Sequence, residues 1–357
     1  MNKQKRNICS ETLNVFSDET LSILLSFFGV VINGVMGSNQ LLRPRKVPKL
    51  FVFGDSYADT GNTKRDTEAW AIPYGITFPG KPSGRYCDGL IATDFLEKVL
   101  GAESPYLYRT HGRDKGLKRG MNFAFGGSKM LDSSPNSPFP NITAQVNFLV
   151  DLVLAGRVYG DITPSDVSLI SYAGGDYIYY IDQNRPAAGL KALVEKVVDN
   201  LRVNMIVLGG LLFKKIAVTS LQPIGCLPSY TSASSFKSCN ESQSALVELH
   251  NKLLKKVVAK LNEQSRVMKK EQHFFIIDIH NAFMTVMKNK GSKRFKNPMK
   301  SCCEGYCGRS SDGGKLYTLC DDPKSFFFWD EVHPTQEGWR SIYSVLGNPL
   351  TDFLTKP

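Results

Sequence analysis

Residues 50–56 read Leu-Phe-Val-Phe-Gly-Asp-Ser, an apolar run followed by a glycine, an aspartate and a serine. Consecutive apolar residues bounded by turn residues are typical of a strand that is buried on both faces of a parallel sheet. The next stretch, 57–62, is Tyr-Ala-Asp-Thr-Gly-Asn and is rich in turn residues. Because ligands of open α/β sheets bind beyond the carboxyl ends of the strands, Ser56 is predicted to lie at a functional edge.

Short apolar runs alternate with longer helical patterns along the chain, which favours βαβ units and a mostly parallel sheet. Five runs are predicted as strands, over 50–53, 121–125, 167–173, 215–221 and 274–279. Helices are predicted over 91–100, 143–154, 190–211, 244–268 and 335–346. The stretches 73–89, 132–140 and 291–325 are predicted as loops, and loops of this length near a sheet edge often shape a substrate cleft.

The second candidate motif is Trp-Asp-Glu-Val-His-Pro-Thr at residues 329–335, near the other end of the chain. An Asp-x-x-His spacing allows the Asp330 carboxylate to meet one nitrogen of His333 while the other nitrogen faces a serine. Ser56 would then attack a carbonyl, His333 would take and return its proton, and Asp330 would orient the imidazole. The two segments together indicate a serine hydrolase.

Plainer structural roles compete with this chemistry. Ser56 could cap a helix and have no catalytic role, and Asp330 or Thr335 could cap the helix that is predicted to follow. The sequence contains no Gly-x-Ser-x-Gly elbow, which disfavours an α/β-hydrolase fold, and the loop after the first strand lacks the phosphate-binding glycine and lysine patterns. Cys87 is an alternative nucleophile, although an unpaired cysteine in an oxidising compartment is more often buried and inert.

An acyl-transfer reaction also needs hydrogen-bond donors for the negative oxygen that develops on the carbonyl. The backbone N–H of Ser56 is one candidate donor. Residues 122–128, Asn-Phe-Ala-Phe-Gly-Gly-Ser, supply a second candidate, because glycine allows close backbone approach and the Gly126 N–H can point into the site. A glycine turn without a catalytic role is the alternative.

Residues 1–37 are predicted to be a secretory signal peptide. A basic start precedes an apolar segment from Leu21 to Met36 that is short for a bilayer span, and cleavage after Gly37 fits better. A signal anchor or an intracellular amphipathic segment is the alternative. The remaining residues, 38–357, show no linker or repeat and are predicted to form a single hydrolase domain.

Secretion gives the cysteines and two glycosylation motifs a common explanation. Six cysteines are predicted to form three disulfides, one between Cys226 and Cys239 and two, of open connectivity, among Cys302, Cys303, Cys307 and Cys320. A zinc site at the second group is disfavoured, because it lacks paired Cys-x-x-Cys spacing and a nearby histidine. Cys87 is left unpaired, and Asn141 and Asn240 begin Asn-x-Ser/Thr glycosylation acceptors.

The chain carries a net charge of +11, and its basic residues are dispersed apart from local concentrations at 43–49 and 288–300. Basic residues do not alternate with aromatic residues in a stripe, so nucleic-acid binding is disfavoured. A secreted basic protein could bind loosely to acidic cell-wall polysaccharide, whereas a solvated basic surface is the plainer interpretation.

At four ordered places the sequence resembles the plant GDSL esterase/lipase family of SGNH hydrolases. Residues 51–62 resemble the first block of that family, 122–128 the second and 329–335 the last, and 223–228 resembles a further family segment. The resemblance implies a three-layer α/β/α, flavodoxin-like fold with a mostly parallel five-stranded sheet. It also implies a Ser56–His333–Asp330 triad, the Gly126 N–H in the oxyanion hole, and hydrolysis of lipid or other carboxylic esters without a metal or organic cofactor.

Two departures from the family pattern stand out. Tyr57 takes the place of the leucine in the family name, a position expected only to tune packing. The third block normally reads Gly-x-Asn-Asp, but residues 173–176 read Ala-Gly-Gly-Asp, with Gly175 where the family has an oxyanion-binding asparagine. Because loss of one such donor costs about 10²–10³ in kcat, three interpretations stay open. They are a slow secreted esterase, an impaired protein that binds esters or glycans, and an acyltransferase.

Overall fold

Six parallel strands form the central sheet in a computed structural model that describes residues 47–110, 117–131, 139–156, 162–288, 294–308 and 314–355. The strands are β1 (Leu50–Gly54), β2 (Tyr106–Leu107), β3 (Gly120–Asn122), β4 (Val167–Ser171), β5 (Lys215–Thr219) and β6 (His273–Ile277). Their order is β2-β3-β1-β4-β5-β6. From β1 the chain goes to the edge strand β2, returns to β3 beside β1, and then crosses to β4 on the other side of β1. Strand β1 therefore lies at the point where the strand order reverses.

Helices cover both faces of the sheet. They are α1 (Ala92–Leu100), α2 (Ile142–Leu154), α3 (Gly175–Asp182), α4 (Leu190–Gly210), α5 (Pro228–Thr231), α6 (Glu241–Val267), α7 (Ile279–Lys288) and α8 (Gln336–Thr355, kinked at Gly347). Helices α2, α4 and α6 contact one another in series, as do α1, α8 and α7. These two helical layers and the sheet give the predicted three-layer α/β/α fold.

The five predicted strands are present, but the prediction of a five-stranded sheet was wrong by one strand. The sixth strand, β2, has only two residues and pairs with β3 at the edge of the sheet. Two residues are too few to show a hydrophobic period, so no sequence pattern could reveal this strand. Helices α3, α5 and α7 were also not predicted.

The core lies between the sheet and the two helical layers. All five residues of β1 are buried, as expected for a central strand of a parallel sheet. Helix α4 buries Val194, Val197 and Leu201, which recur at helical spacing, so this face of the helix packs into the core. A second, smaller apolar cluster contains Ala69, Tyr74, Tyr86, Cys302, Cys303, Cys307 and Trp329.

Disulfides tie loops together both at the main core and at this second cluster. The predicted bond between Cys226 and Cys239 is present, and the open connectivity resolves as Cys302–Cys320 and Cys303–Cys307. Residues around the last two bonds form a two-stranded antiparallel ribbon, β7 (Cys303–Gly305) with β8 (Tyr317–Leu319). The same cysteines therefore do not form the alternative zinc site.

The predicted signal peptide, residues 1–37, lies outside the described residues. Within the described ranges, every helix is too short or too polar to cross a membrane.

Candidate active site

Ser56 lies at the carboxyl end of β1, where the strand order reverses. Residues 55–59 form one helical turn, in which the Ala58 and Asp59 N–H groups donate to the Asp55 carbonyl at 3.0 Å each. Gly54 allows this turn to begin close to β4, because an added Cβ would collide with the Ser171 carbonyl. Ser56 is only partly buried in an otherwise buried turn, so its hydroxyl is presented at the predicted edge.

A series of hydrogen bonds joins Ser56 to two side chains from the C-terminal part of the chain. The Ser56 hydroxyl and His333 Nε2 are 2.8 Å apart, across 277 residues of sequence. On the other side of the ring, Nδ1 lies 2.8 and 2.9 Å from the two carboxylate oxygens of Asp330. The structure thus brings together all three side chains in which the sequence analysis placed the chemistry.

Of the two residues that could cap α8, Thr335 takes this role and Asp330 does not. Asp330 Oδ1 accepts the backbone N–H groups of Val332 and His333 at 2.8 Å each, which folds its own loop rather than capping α8. The hydroxyl of Thr335 accepts the Gly338 N–H at 2.9 Å and is the cap of α8. Asp330 is therefore committed to the loop that carries His333.

The electrostatic environment keeps Asp330 ionised and makes His333 more basic. Burial alone would raise the pKa of Asp330, but the His333 charge and hydrogen bond together with two backbone N–H groups lower it below its ordinary value. Burial also lowers the pKa of His333, but the charge and hydrogen bond of Asp330, aided by the charges of Glu68 and Asp55, raise it above its ordinary value. An orienting carboxylate and a basic imidazole are what proton transfer from a serine requires.

The predicted oxyanion donors differ in whether their N–H groups already donate a hydrogen bond. The N–H groups of Ser56 and Gly175 donate to no other group among the described residues. The Gly126 N–H instead donates to Asp59 Oδ2 at 2.8 Å. The buried Asp59 carboxylate holds this hydrogen in the structure, and the assignment of the Gly126 N–H to the oxyanion hole stays a prediction.

Gly175 lies beside the nucleophile turn at the start of α3. Asp55, the residue before the serine, accepts the Ala173 N–H at 2.6 Å and so ties the segment before Gly175 to that turn. A Cβ at position 175 would lie 3.3 Å from the Ser128 carbonyl and 3.4 Å from Lys129 Cγ. A Cβ at this position therefore needs only a small adjustment by these neighbours.

The stretch 73–89 contributes two tyrosines that the sequence analysis did not single out. The Tyr86 ring stacks on the His333 imidazole, with ring centroids 5.2 Å apart. The Tyr74 hydroxyl donates to Asp330 Oδ2 at 2.9 Å. Composition identified this stretch as a loop, but no local pattern reveals a contact between residues that are 256 positions apart.

Cys87, the alternative nucleophile, is buried and unpaired. Burial, reinforced by the charge of Asp88, raises the pKa of its thiol well above the ordinary value, so the reactive thiolate is disfavoured. Among the described residues, no group of three or more histidine, cysteine or acidic side chains could hold a metal ion.

A serine, an imidazole and a carboxylate in hydrogen-bond series at the carboxyl edge of a parallel sheet have the arrangement of a serine hydrolase on a three-layer α/β/α fold. Sequence comparison leads to the same class. The GDSL-like lipase/acylhydrolase family matches residues 50–345, and the chain belongs to this family.

Relatives of the chain cover nearly its whole length. One GDSL esterase/lipase of Arabidopsis thaliana is 60% identical over 335 residues, which are 92% of this chain and 96% of the relative. A second from the same plant is 50% identical over 342 residues, covering 91% and 93%. A third is 45% identical over 323 residues, covering 87% and 89%.

Proposed function

We propose that the protein hydrolyses carboxylic esters through a covalent acyl-enzyme formed on Ser56. The observation that carries the proposal is the series of hydrogen bonds from Ser56 through His333 to Asp330, with distances of 2.8 Å on both sides of the imidazole. Membership of the GDSL family and the esterase/lipase names of its relatives support the same class of reaction.

The reaction proceeds in two halves. Ser56 Oγ attacks the ester carbonyl carbon while its proton moves to His333 Nε2, and Asp330 stabilises the imidazolium. The tetrahedral intermediate collapses, the bond to the leaving alcohol breaks, and Nε2 gives that oxygen its proton. Water then attacks the acyl-enzyme with His333 as base, and the acid is released as Ser56 regains its proton.

The developing oxyanion meets fewer donors than the family pattern provides. The Ser56 N–H is the first donor, and the Gly175 N–H at the start of α3 is available near the same edge. No side-chain amide is present at position 175, and the Gly126 amide is engaged by Asp59. We therefore expect a slow enzyme, because each missing donor costs about 10²–10³ in kcat.

The proposal includes a secreted enzyme made of residues 38–357 after removal of the signal peptide. Three disulfides among the described residues support an oxidising compartment. Asn240 is exposed, and both Asn240 and Asn141 sit at the first turns of helices, where they are N-caps. Glycans at these two positions are part of the proposal and would be detected as a mass loss on enzymatic deglycosylation.

The test is hydrolysis of p-nitrophenyl esters of graded chain length by the mature protein and by Ser56→Ala. Hydrolysis by the mature protein that Ser56→Ala abolishes, together with labelling of Ser56 by a fluorophosphonate, supports the proposal. If the mature protein hydrolyses these esters no faster than Ser56→Ala, the proposal is overturned.

An impaired protein that binds esters without turning them over is the second candidate. The engaged Gly126 amide and the missing side chain at Gly175 are the observations that favour it. This candidate requires that the mature protein binds an ester but does not release alcohol from it. The acyltransferase interpretation uses the same acyl-enzyme and is distinguished by ester formation when an alcohol acceptor is added.

A further inference from the structure

Tyr74 contacts the triad from the stretch 73–89, the same stretch that places Tyr86 against His333. Its hydroxyl donates to Asp330 Oδ2 at 2.9 Å, and its side chain is buried. The loop is fixed by its backbone, because the Gly75 N–H donates to the Cys87 carbonyl at 2.9 Å and the Thr77 N–H to the Asp88 carbonyl at 2.7 Å. The contact between Tyr74 and Asp330 is therefore built into the fold.

The two oxygens of the Asp330 carboxylate have different partners. Oδ1 accepts two backbone N–H groups, from Val332 and His333, besides its contact with Nδ1. Oδ2 lies 2.8 Å from Nδ1 and has the Tyr74 hydroxyl as its other donor. Tyr74 is thus the side chain that competes with His333 for the negative charge on Oδ2.

The surroundings hold this hydroxyl in place as a donor. The Tyr74 ring lies edge-on to Tyr86 and to Trp329, with centroids 6.1 Å apart in both pairs. Burial and the charge of Asp330 raise the pKa of Tyr74 well above its ordinary value, so the hydroxyl keeps its proton.

Several charges and rings surround the imidazole from different parts of the chain. Asp330 lies on its own loop, Asp55 belongs to the nucleophile turn, and Glu68 belongs to the segment before the Tyr74 loop. The Tyr86 and Tyr57 rings pack against His333. Among these groups, only Asp330 is hydrogen-bonded to the imidazole. A group that donates a hydrogen bond to Asp330 therefore affects His333 through that bond.

We infer that Tyr74 is a positioning residue that draws charge from Asp330 Oδ2 and thereby limits the basicity of His333. This inference rests on the proposed function, in which His333 is the base. Without the hydroxyl, the negative charge of the Asp330 carboxylate attracts the protonated His333 ring more strongly, which favours the imidazolium. A base that holds its proton too firmly returns it to the leaving alcohol less readily, so the hydroxyl helps turnover.

The test compares Tyr74→Phe with Tyr57→Phe. The Tyr57 hydroxyl donates to the Val332 carbonyl at 2.8 Å, so its loss loosens the same loop without touching the carboxylate. The His333 imidazole is titrated by NMR in histidine-labelled protein, with its signal among the five histidines assigned by His333→Asn. The same variants are assayed for kcat and KM against pH.

For Tyr74→Phe we expect the His333 titration to move to higher pH and kcat to fall about tenfold with KM unchanged. Tyr57→Phe should lower the melting temperature but leave the His333 titration unchanged. An unchanged titration in Tyr74→Phe, a move to lower pH, or an equal move in Tyr57→Phe overturns the inference. Because the NMR titration needs no turnover, it tests Tyr74 even if the mature protein hydrolyses no ester.

Discussion

At the scale of single residues, the candidate site has all three side chains needed to transfer a proton from the serine, but it has few hydrogen-bond donors for the oxyanion. Ser56, His333 and Asp330 are joined by bonds of 2.8 Å. The oxyanion side depends on backbone N–H groups, because position 175 is a glycine and the Gly126 amide donates to Asp59. The proposed reaction is therefore limited by stabilisation of the oxyanion rather than by activation of the serine.

Restoring a side-chain amide at position 175 should increase activity. We expect Gly175→Asn to raise kcat for p-nitrophenyl esters, by up to about 10²-fold, because an oxyanion-hole amide is worth that much in other hydrolases. The nearest atoms to a Cβ there are the Ser128 carbonyl oxygen at 3.3 Å and Lys129 Cγ at 3.4 Å, so the neighbours need to move by only a few tenths of an ångström. The variant should therefore fold.

The control for this substitution is Gly175→Ala, which adds the Cβ without a donor. It should leave kcat unchanged or lower it. An equal gain from alanine and asparagine would show that the backbone of α3, rather than an amide donor, limits the reaction.

The pH dependence of the reaction follows from the pKa of His333. The base must be neutral, so kcat/KM should fall at acidic pH with a midpoint above pH 6.5, since the charge of Asp330 raises the pKa over that ordinary value despite burial. Asp330→Asn should move the midpoint to lower pH and reduce kcat by about 10⁴-fold. A pH profile of each protein checks both effects, and a midpoint below 6.5 in the unaltered protein would contradict the assigned pairing.

At the scale of elements, apolar runs predicted the strands because buried parallel strands are apolar on both faces. The ends of β1 and β4 fall within a few residues of the predictions for 50–53 and 167–173. Helix α3 was missed because it has only eight residues and begins at a glycine, which is a poor helix former. The Tyr74 contact was missed because loop composition does not specify which distant loop it meets.

The ribbon of β7 and β8 supports the loop that carries the base. The Cys302 and Cys303 N–H groups donate to the Phe328 and Trp329 carbonyls at 3.0 and 2.7 Å, and the Trp329 N–H donates to the His333 carbonyl at 2.7 Å. Replacing Cys302 and Cys320 by serine should cost about 3 kcal/mol of stability and also lower kcat. Thermal unfolding and ester hydrolysis at a temperature well below unfolding measure the two effects.

The matched control is the double serine variant of Cys226 and Cys239, which opens a bond of similar sequence separation, 13 residues against 18. It should lose comparable stability but keep more of its activity. Equal losses of activity in the two variants would mean that the ribbon has no special role in positioning His333.

Helix α1 contains a buried carboxylate that is only partly hydrogen-bonded. Glu97 Oε2 accepts the Ser104 hydroxyl at 2.7 Å, whereas Oε1 has no partner among the described residues. Burial, despite the Ser104 hydrogen bond, raises the pKa of Glu97 to about 7. The folded protein thus binds a proton more tightly than the unfolded chain, and stability is lost as pH rises from the unfolded value toward 7.

Glu97→Gln should therefore stabilise the protein at pH 8, by at most about 3 kcal/mol, and change it little at pH 4. Melting temperatures at the two pH values measure the effect. The exposed Glu103, which pairs with Arg119 on the surface, supplies the control variant Glu103→Gln. A gain for Glu97→Gln that is the same at both pH values would contradict the burial argument.

At the scale of the whole molecule, the fold brings the segment of Ser56 into contact with the distant segment of His333. Ser56 and His333 are 277 positions apart, and the rule that ligands bind at strand ends predicts only the edge of the sheet. The Asp-x-x-His spacing suggested the pairing, the resemblance to a family implied the same one, and the structure supplies the bonds. Contacts such as that between the Gly126 N–H and the Asp59 carboxylate escape both, because loop conformation decides which backbone N–H a given side chain meets.

The predicted binding to acidic cell-wall polysaccharide rests on the positive charge of the chain. The net charge is +11, but in the described part of the basic stretch 288–300, Arg294 pairs with Glu337 and Lys300 with Glu304. Those ion pairs reduce the local positive charge, so we expect weak, delocalised attraction to an acidic polysaccharide rather than a binding site. Binding to immobilised polygalacturonate should be detectable at low salt and vanish at about 0.5 M salt, where charges are screened within a few ångströms. Retention at that salt, or equal retention on neutral dextran, would show that charge is not the cause.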